Sequence, residues 1–116
     1  MSSQRELKKG STPTLILAVL ADSPKHGYAI AREIEKRSKN ALSLGEGALY
    51  PALRALEHEG LIVGNWEAQG SGPARRVYTL TEEGRGHLAK QLKEWSSFTD
   101  AVNLVLKGGL PHAQPA

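Results

Sequence analysis

The side chains best suited to chemistry gather in the middle of the chain, where no nucleophile–base pair accompanies them. Tyr50 and Arg54 fall in a segment whose leucines, Leu49, Leu53 and Leu56, recur at i, i+4 and i+7. That spacing is one helical stripe. With the leucines inward, the opposite face carries Ala48, Pro51, Arg54 and His58, with Tyr50 on its flank. A guanidinium there can grip a guanine edge or a phosphate with two parallel N–H donors, and a phenol can donate to phosphate. Small residues at the start of such a helix allow close approach. The plainer alternative is that Arg54 is solvated and Tyr50 covers the core. A second basic pair, Arg75 and Arg76, follows a Gly/Ser/Pro-rich turn from Ala68 to Pro73. Beside a groove-reading helix, such a hairpin can hold the flanking backbone or enter the minor groove.

Other chemistries find no support. There is no cysteine, which excludes disulfides, zinc-thiolate sites and a thiol nucleophile. His26, His58, His87 and His112 lie in different segments without ligand spacing, so no metal site is expected. No phosphate-binding glycine loop occurs at a strand–helix junction. Neither an enzyme nor a cofactor is expected.

Length and charge set the frame for these groups. A chain of 116 residues fits one modest core. The net charge of +3 points only mildly to an acidic partner, but residues 1–40 hold eight Lys/Arg against four acids. The apolar run Leu15–Ala21 is too short to span a bilayer. Lys8 and Lys9 precede it as in a signal peptide, yet no convincing cleavage site follows, and it reads as a buried helix. A cytoplasmic protein without membrane contact is expected.

The order of elements must position the basic groups. Residues 1–11 read as a flexible, frayed segment, with a partial helix from Gln4 to Lys9 as the alternative. Thr12 and Pro13 suit the start of a first helix running through Leu20. Asp22-Ser23-Pro24 breaks it, and a second helix is predicted over about Gly27–Ser38, with Ala29, Ile30 and Ile34 inward. The third covers about Ala48–Glu59, since Pro51 is tolerable in a first turn. Glu46 just before it is read as a cap. Strands over Leu61–Glu67 and Arg75–Leu80 form a hairpin. Thr81, Glu82 and Glu83 open a long last helix. The class is mainly α with a small β-hairpin, a winged helix-turn-helix over 12–81. A dimerisation helix over 82–107 and a disordered tail over 108–116 complete it.

That last helix carries Leu88, Leu92, Trp95, Phe98, Thr99, Val102 and Leu106 near a heptad-like stripe. A single small domain cannot cover so long an apolar face, so a second subunit is the expected cover. Leu88, Leu92, Phe98, Val102 and Leu106 are assigned to that contact. A two-fold dimer would place two third helices about one DNA turn apart, on a pseudo-palindromic duplex site.

The segments LILAVLADSPKHGYAIAREIE, GALYPALRALEHEGLI and GPARRVYTLTEEG, together with the helix around Trp95, resemble the PadR-type transcriptional regulators. The likeness covers about residues 12–106, and the short C-terminus is similar to the smaller, LmrR-like subfamily. The resemblance implies a dimeric repressor and an effector site at the dimer centre, lined by the first and last helices. It suggests that Trp95 stacks on a flat aromatic molecule, with Pro13, Thr14, Leu17 and Thr99 around it. Thr99 stands where an acidic residue is expected in a multidrug-binding relative, which argues against cationic ligands. Trp95 as plain dimer packing is the competing reading. A winged helix that binds protein and never DNA is the alternative function.

Overall fold

The computed structural model describes residues 3–109, with side chains from Gly10 to Lys107. Four helices surround one small sheet: α1 (Ser3–Leu20), β1 (Lys25–His26), α2 (Gly27–Arg37), α3 (Glu46–His58), β2 (Ile62–Glu67), β3 (Arg75–Leu80) and α4 (Glu82–Gly109). The winged helix-turn-helix order expected from the sequence is present.

Buried residues come from the inner stripes of the helices and the base of the hairpin. Ile16, Leu17, Ile30, Leu49 and Leu53 are the largest fully buried side chains, and Tyr78, Leu80 and Leu88 join the same cluster. Two helices stop by the same device. Lys39 and Asn40 take positive φ after α2, with Asn40 N–H donating to Glu35 C=O at 2.8 Å and Lys39 N–H to Lys36 C=O at 3.1 Å. Gly60, at φ 78°, ends α3, with Leu61 N–H donating to Leu56 C=O at 3.0 Å. These are Schellman closures, which satisfy carbonyls the helix leaves open. Arg37 bridges Asp22 and Glu33 and so ties the break after α1 to α2.

Several expectations need correction. Helix α1 starts at Ser3, so Pro13 lies inside it and residues 3–11 are its first turns. Gln4 to Lys9 are mostly strong helix formers, and they carry the helix across a proline that removes only one N–H donor. Helix α3 also begins earlier than expected. Gly45 is its N-cap, Glu46 its first residue and Pro51 its sixth, so the proline sits beyond the first turn. Glu46 does not cap the helix through its side chain; its charge faces the positive end of the helix dipole instead. A third strand, β1, pairs antiparallel with β3 through Lys25↔Tyr78 and His26↔Val77, giving the order β1-β3-β2. Helix α4 continues through Gly108 and Gly109. The rest of the expected tail, residues 110–116, lies outside the described residues.

The start of α4 fits tightly. Thr81 Oγ1 accepts from Gly84 N–H at 3.0 Å and donates to Gly60 C=O at 2.7 Å, which fixes the entry of the helix. A Cβ on Gly84 would stand 2.0 Å from the Leu61 carbonyl oxygen, a backbone atom that cannot swing away. Gly84→Ala is therefore expected to lose about 2–3 kcal/mol, as overpacking against a rigid neighbour does. A Cβ on Gly86, two residues on, would meet nothing within 4 Å. Gly86→Ala is expected to gain about 0.5–1 kcal/mol from helix propensity alone. Urea unfolding of both variants checks the pair; equal midpoints would refute the close approach at Gly84.

Candidate nucleic-acid interface

Helix α3 buries Leu49, Leu53 and Leu56 and turns Ala48, Tyr50, Pro51 and Arg54 outward. Arg54 makes no ion pair or hydrogen bond among the described residues, so its five donors are available. Tyr50 is partly exposed, and its ring lies against Gly27 at the start of α2.

The wing stands beside this face. Antiparallel pairing of β2 with β3 runs from Ile62↔Leu80 to Glu67↔Arg75 and places Trp66 opposite Arg76. One sheet face thus starts in the core with Ile62, Leu80 and Tyr78 and continues outward through Arg76 and Trp66. Between the wing, α3 and the start of α2 lies a cleft of about 520 Å³. Its lining includes all three tyrosines, Tyr28, Tyr50 and Tyr78, together with Trp66, Arg75 and Arg76.

The two wing arginines are held differently. Arg75 is exposed, and its Nη1 lies 2.8 Å from His26 Nε2 on β1. Arg76 is bound within the protein. Its Nη2 donates to Glu57 Oε2 at 2.6 Å, and the same oxygen accepts from Gly64 N–H at 3.2 Å. The guanidinium lies 5.6 Å from the Trp66 ring centroid and 5.9 Å from that of Tyr78, within cation–π range of both. The Glu57 hydrogen bond is the main reason the Arg76 guanidinium holds its proton even more firmly than usual. Burial pushes the Tyr78 phenol up from its ordinary range, with the nearby Glu57 charge adding to the effect. Gly64 leaves room for this network: a Cβ there would meet Arg76 Nε at 2.7 Å and Glu57 Oε2 at 2.9 Å.

Sequence reasoning placed Arg54, Tyr50, Arg75 and Arg76 correctly on α3 and the wing. It missed Glu57, Trp66, His26 and Tyr28. The alternation of β3 put Arg76 on the face of Tyr78 and Leu80, and that was the available signal that Arg76 points inward.

The expected effector and dimer residues divide. Trp95 and Phe98 are each 55% exposed on α4, with ring centroids 6.0 Å apart. Thr99 is half-buried, as are Pro13 and Thr14 on α1, and Thr14 Oγ1 donates to Gln91 Oε1 at 2.5 Å across the two helices. Leu17 is 0% exposed. It packs the chain's own core and cannot line a site at a dimer centre without repacking. Leu88, at 7%, is likewise covered by its own chain rather than left for a partner. Leu92, Phe98 and Leu106 remain exposed and Val102 half-exposed. Among the described residues no group of His, Asp and Glu could hold a metal ion, and no helix is long and apolar enough to cross a membrane.

Three helices, a short strand and a hairpin wing, with an arginine-bearing helix beside a cationic wing, define a winged helix-turn-helix protein. Residues 16–90 match the Transcriptional regulator PadR-like family. The chain belongs to that family and is a transcriptional regulator, not an enzyme. It is 35% identical over 86 residues to the transcriptional regulator Rv3488 of Mycobacterium tuberculosis, covering 74% of this chain and 77% of that one. A PadR family regulator from Eggerthella lenta superposes with a TM-score of 0.79 at 30% identity, covering 91% of this chain and 90% of its own. PadR of Bacillus subtilis, solved in complex with operator DNA, gives a TM-score of 0.64 at 29% identity over 69% of this chain and 44% of that protein.

Proposed function

We propose that the chain is a homodimeric, cytoplasmic repressor that binds a pseudo-palindromic operator in duplex DNA. The observation that carries this reading is Arg54, unpaired on the exposed face of α3, with small residues on the same face and a cationic wing alongside. Helix α3 enters the major groove, with Ala48 and Pro51 facing the bases and Tyr50 donating to phosphate. Arg75 meets the backbone beside the wing. The similarity to a PadR solved on operator DNA supports the same docking. The test is enrichment of a random-sequence duplex pool by the purified protein. A two-fold symmetric consensus with half-sites about one turn apart is expected. Recovery of unenriched sequence, with binding indifferent to salt, would leave a protein-binding winged helix as the better reading.

Arg76 holds the wing in place rather than reading DNA itself. If so, Glu57→Ala and Arg76→Ala weaken operator binding by the same factor, about tenfold, and the double variant loses no more than either single one. A direct contact by Arg76 would make Arg76→Ala the costlier change and leave Glu57→Ala near wild type. Binding isotherms of the four proteins on the enriched duplex decide this.

A flat aromatic effector stacks on Trp95 between the two subunits, with Phe98, Thr99, Pro13 and Thr14 around it. To release DNA it must bind one dimer state more tightly than the other. In a Trp66→Phe background Trp95 is the only tryptophan, so excitation selective for indole reads it alone. An inducing ligand is expected to quench that signal and lower operator affinity at the same concentration. Quenching without change in DNA affinity would assign Trp95 to dimer packing.

A further inference from the structure

A second concave surface adjoins the first. A cleft of about 720 Å³ runs along the outer face of α2 toward the wing. Tyr28, Arg32 and Lys36 line it from the helix, Lys39 lines it from the turn that follows, and Arg75 closes it from β3. Positions 28, 32 and 36 advance by four residues each, which keeps them on one side of the helix, and Lys39 follows in the left-handed turn that closes it. Four permanent cations, Arg32, Lys36, Lys39 and Arg75, face two carboxylates, Glu33 and Glu35. Glu33 is engaged by Arg37 at 2.8 Å, and Glu35 has only a 3.8 Å contact with exposed Arg32 and a 3.4 Å hydrogen bond from Ser43. The surface therefore presents a net positive groove. His26, Tyr28 and Arg75 also line the cleft beside α3, so the two grooves form one continuous surface.

We propose that the outer face of α2 is a second, sequence-independent track that holds the sugar–phosphate backbone of duplex DNA flanking the operator. It rests on the operator-binding reading and extends it past the recognition helix. From Tyr28 to Lys36 the helical part of the track is about 12 Å long at 1.5 Å per residue. One DNA strand carries a phosphate about every 3.4 Å along the duplex axis, so this part of the track matches about three to four base pairs. Its chemistry suits phosphate rather than a protein: long flexible cations and a phenol line it, and no apolar anchor projects from it besides Tyr28. Such contacts position DNA and carry no base information. They give a role to Arg32, Lys36 and Lys39, three of the eight Lys/Arg of residues 1–40, which Arg54 and the wing leave unexplained.

The experiment uses the full-length chain and the duplex it enriches, in two lengths: the core consensus alone, and the core with ten base pairs of unrelated sequence on each side. Wild type is expected to bind the extended duplex about tenfold or more tightly than the core, with a steeper dependence of log K on log salt. The variant Arg32→Gln, Lys36→Gln, Lys39→Gln changes exposed side chains only. It is expected to lose the gain from extension and to bind the core within twofold of wild type. Its salt slope on the extended duplex should fall by about 2.7, from three lost phosphate contacts at about 0.9 each. Equal wild-type affinity for both lengths overturns the proposal, as does an equal loss by the variant on both. Arg54→Ala separates the two readings. If it weakens core binding while extension makes no difference, operator binding stands and the α2 track falls. If wild type selects no core at all, both fall together.

Discussion

Replacing Val102 and Leu106 with aspartate is expected to give a monomer that binds operator about 100- to 10,000-fold more weakly. The size follows from geometry rather than from any contact with DNA. Two linked recognition helices make the second half-site encounter intramolecular, which is worth about that factor when spacing fits. On the proposed reading the linkage is α4, whose apolar side the single chain leaves largely exposed beyond Gln91. Leu92, Trp95 and Phe98 are about half exposed, and Leu104 and Val105 are about three-quarters exposed. About 18 residues of helix, near 27 Å, follow Gln91, which is bonded to Thr14 on α1, and most of the apolar side chains there are exposed. A helix of that length with an apolar stripe is poorly stable alone in water. The variant should therefore also lose far-UV helix signal, while the core around Ile16, Leu49 and Leu53 stays folded. Sedimentation equilibrium with parallel binding isotherms checks it. A variant that is monomeric yet retains full operator affinity would refute the dimer reading.

That uncovered stripe shows how far a sequence can be read and where it stops. Heptad-like spacing revealed an apolar face on the last helix, and the structure carries it. Spacing does not reveal what covers each residue. Leu88 sits on the same stripe as Leu92, yet Leu88 is 7% exposed and Leu92 49%, so one is core and the other is not. Leu17 failed because family likeness, not spacing, set it beside Trp95, whereas it is wholly buried in the chain's own core while Pro13 and Thr14 on the same helix stay half-buried. The inner leucines of α3 and the hairpin were legible because their periods are clean. Strand β1 was not, since two residues carry no period and exist as a strand only by pairing with Tyr78 and Val77. The Glu57–Arg76 pair was equally hidden. It depends on a register that sets Trp66 against Arg76 and a side-chain-free Gly64 against Tyr78, and on the end of α3 lying over that point. Pro13 misled by reading as a helix start and Pro51 by reading as a first-turn residue; in both cases the helix runs through, because losing one bond costs less than ending an element that buries leucines on its other face.

Arg54→Ala should reduce affinity for the enriched duplex by about 5- to 150-fold, the equivalent of about 1–3 kcal/mol for losing a two-donor contact to a guanine. The loss should be concentrated at one base pair of each half-site. A duplex altered there binds wild type poorly but binds the variant as well as the consensus does. Arg75→Ala should behave differently. It weakens every sequence by a similar factor and lowers the salt slope by about 0.9, because a phosphate contact releases counterions whatever the base. The contrast follows from where each guanidinium stands. Arg54 projects from a helix face whose neighbours Ala48 and Pro51 leave the bases within reach. Arg75 lies on the wing with its Nη1 at His26, at the join of the two cationic grooves. Competition isotherms over the single-base variants of the consensus at two salt concentrations separate them. If Arg54→Ala weakened all sequences uniformly and lowered the salt slope, Arg54 would be a backbone contact. Base reading would then pass to Tyr50 and the start of α3, and the wing and α2 would serve only to hold the duplex against that helix end.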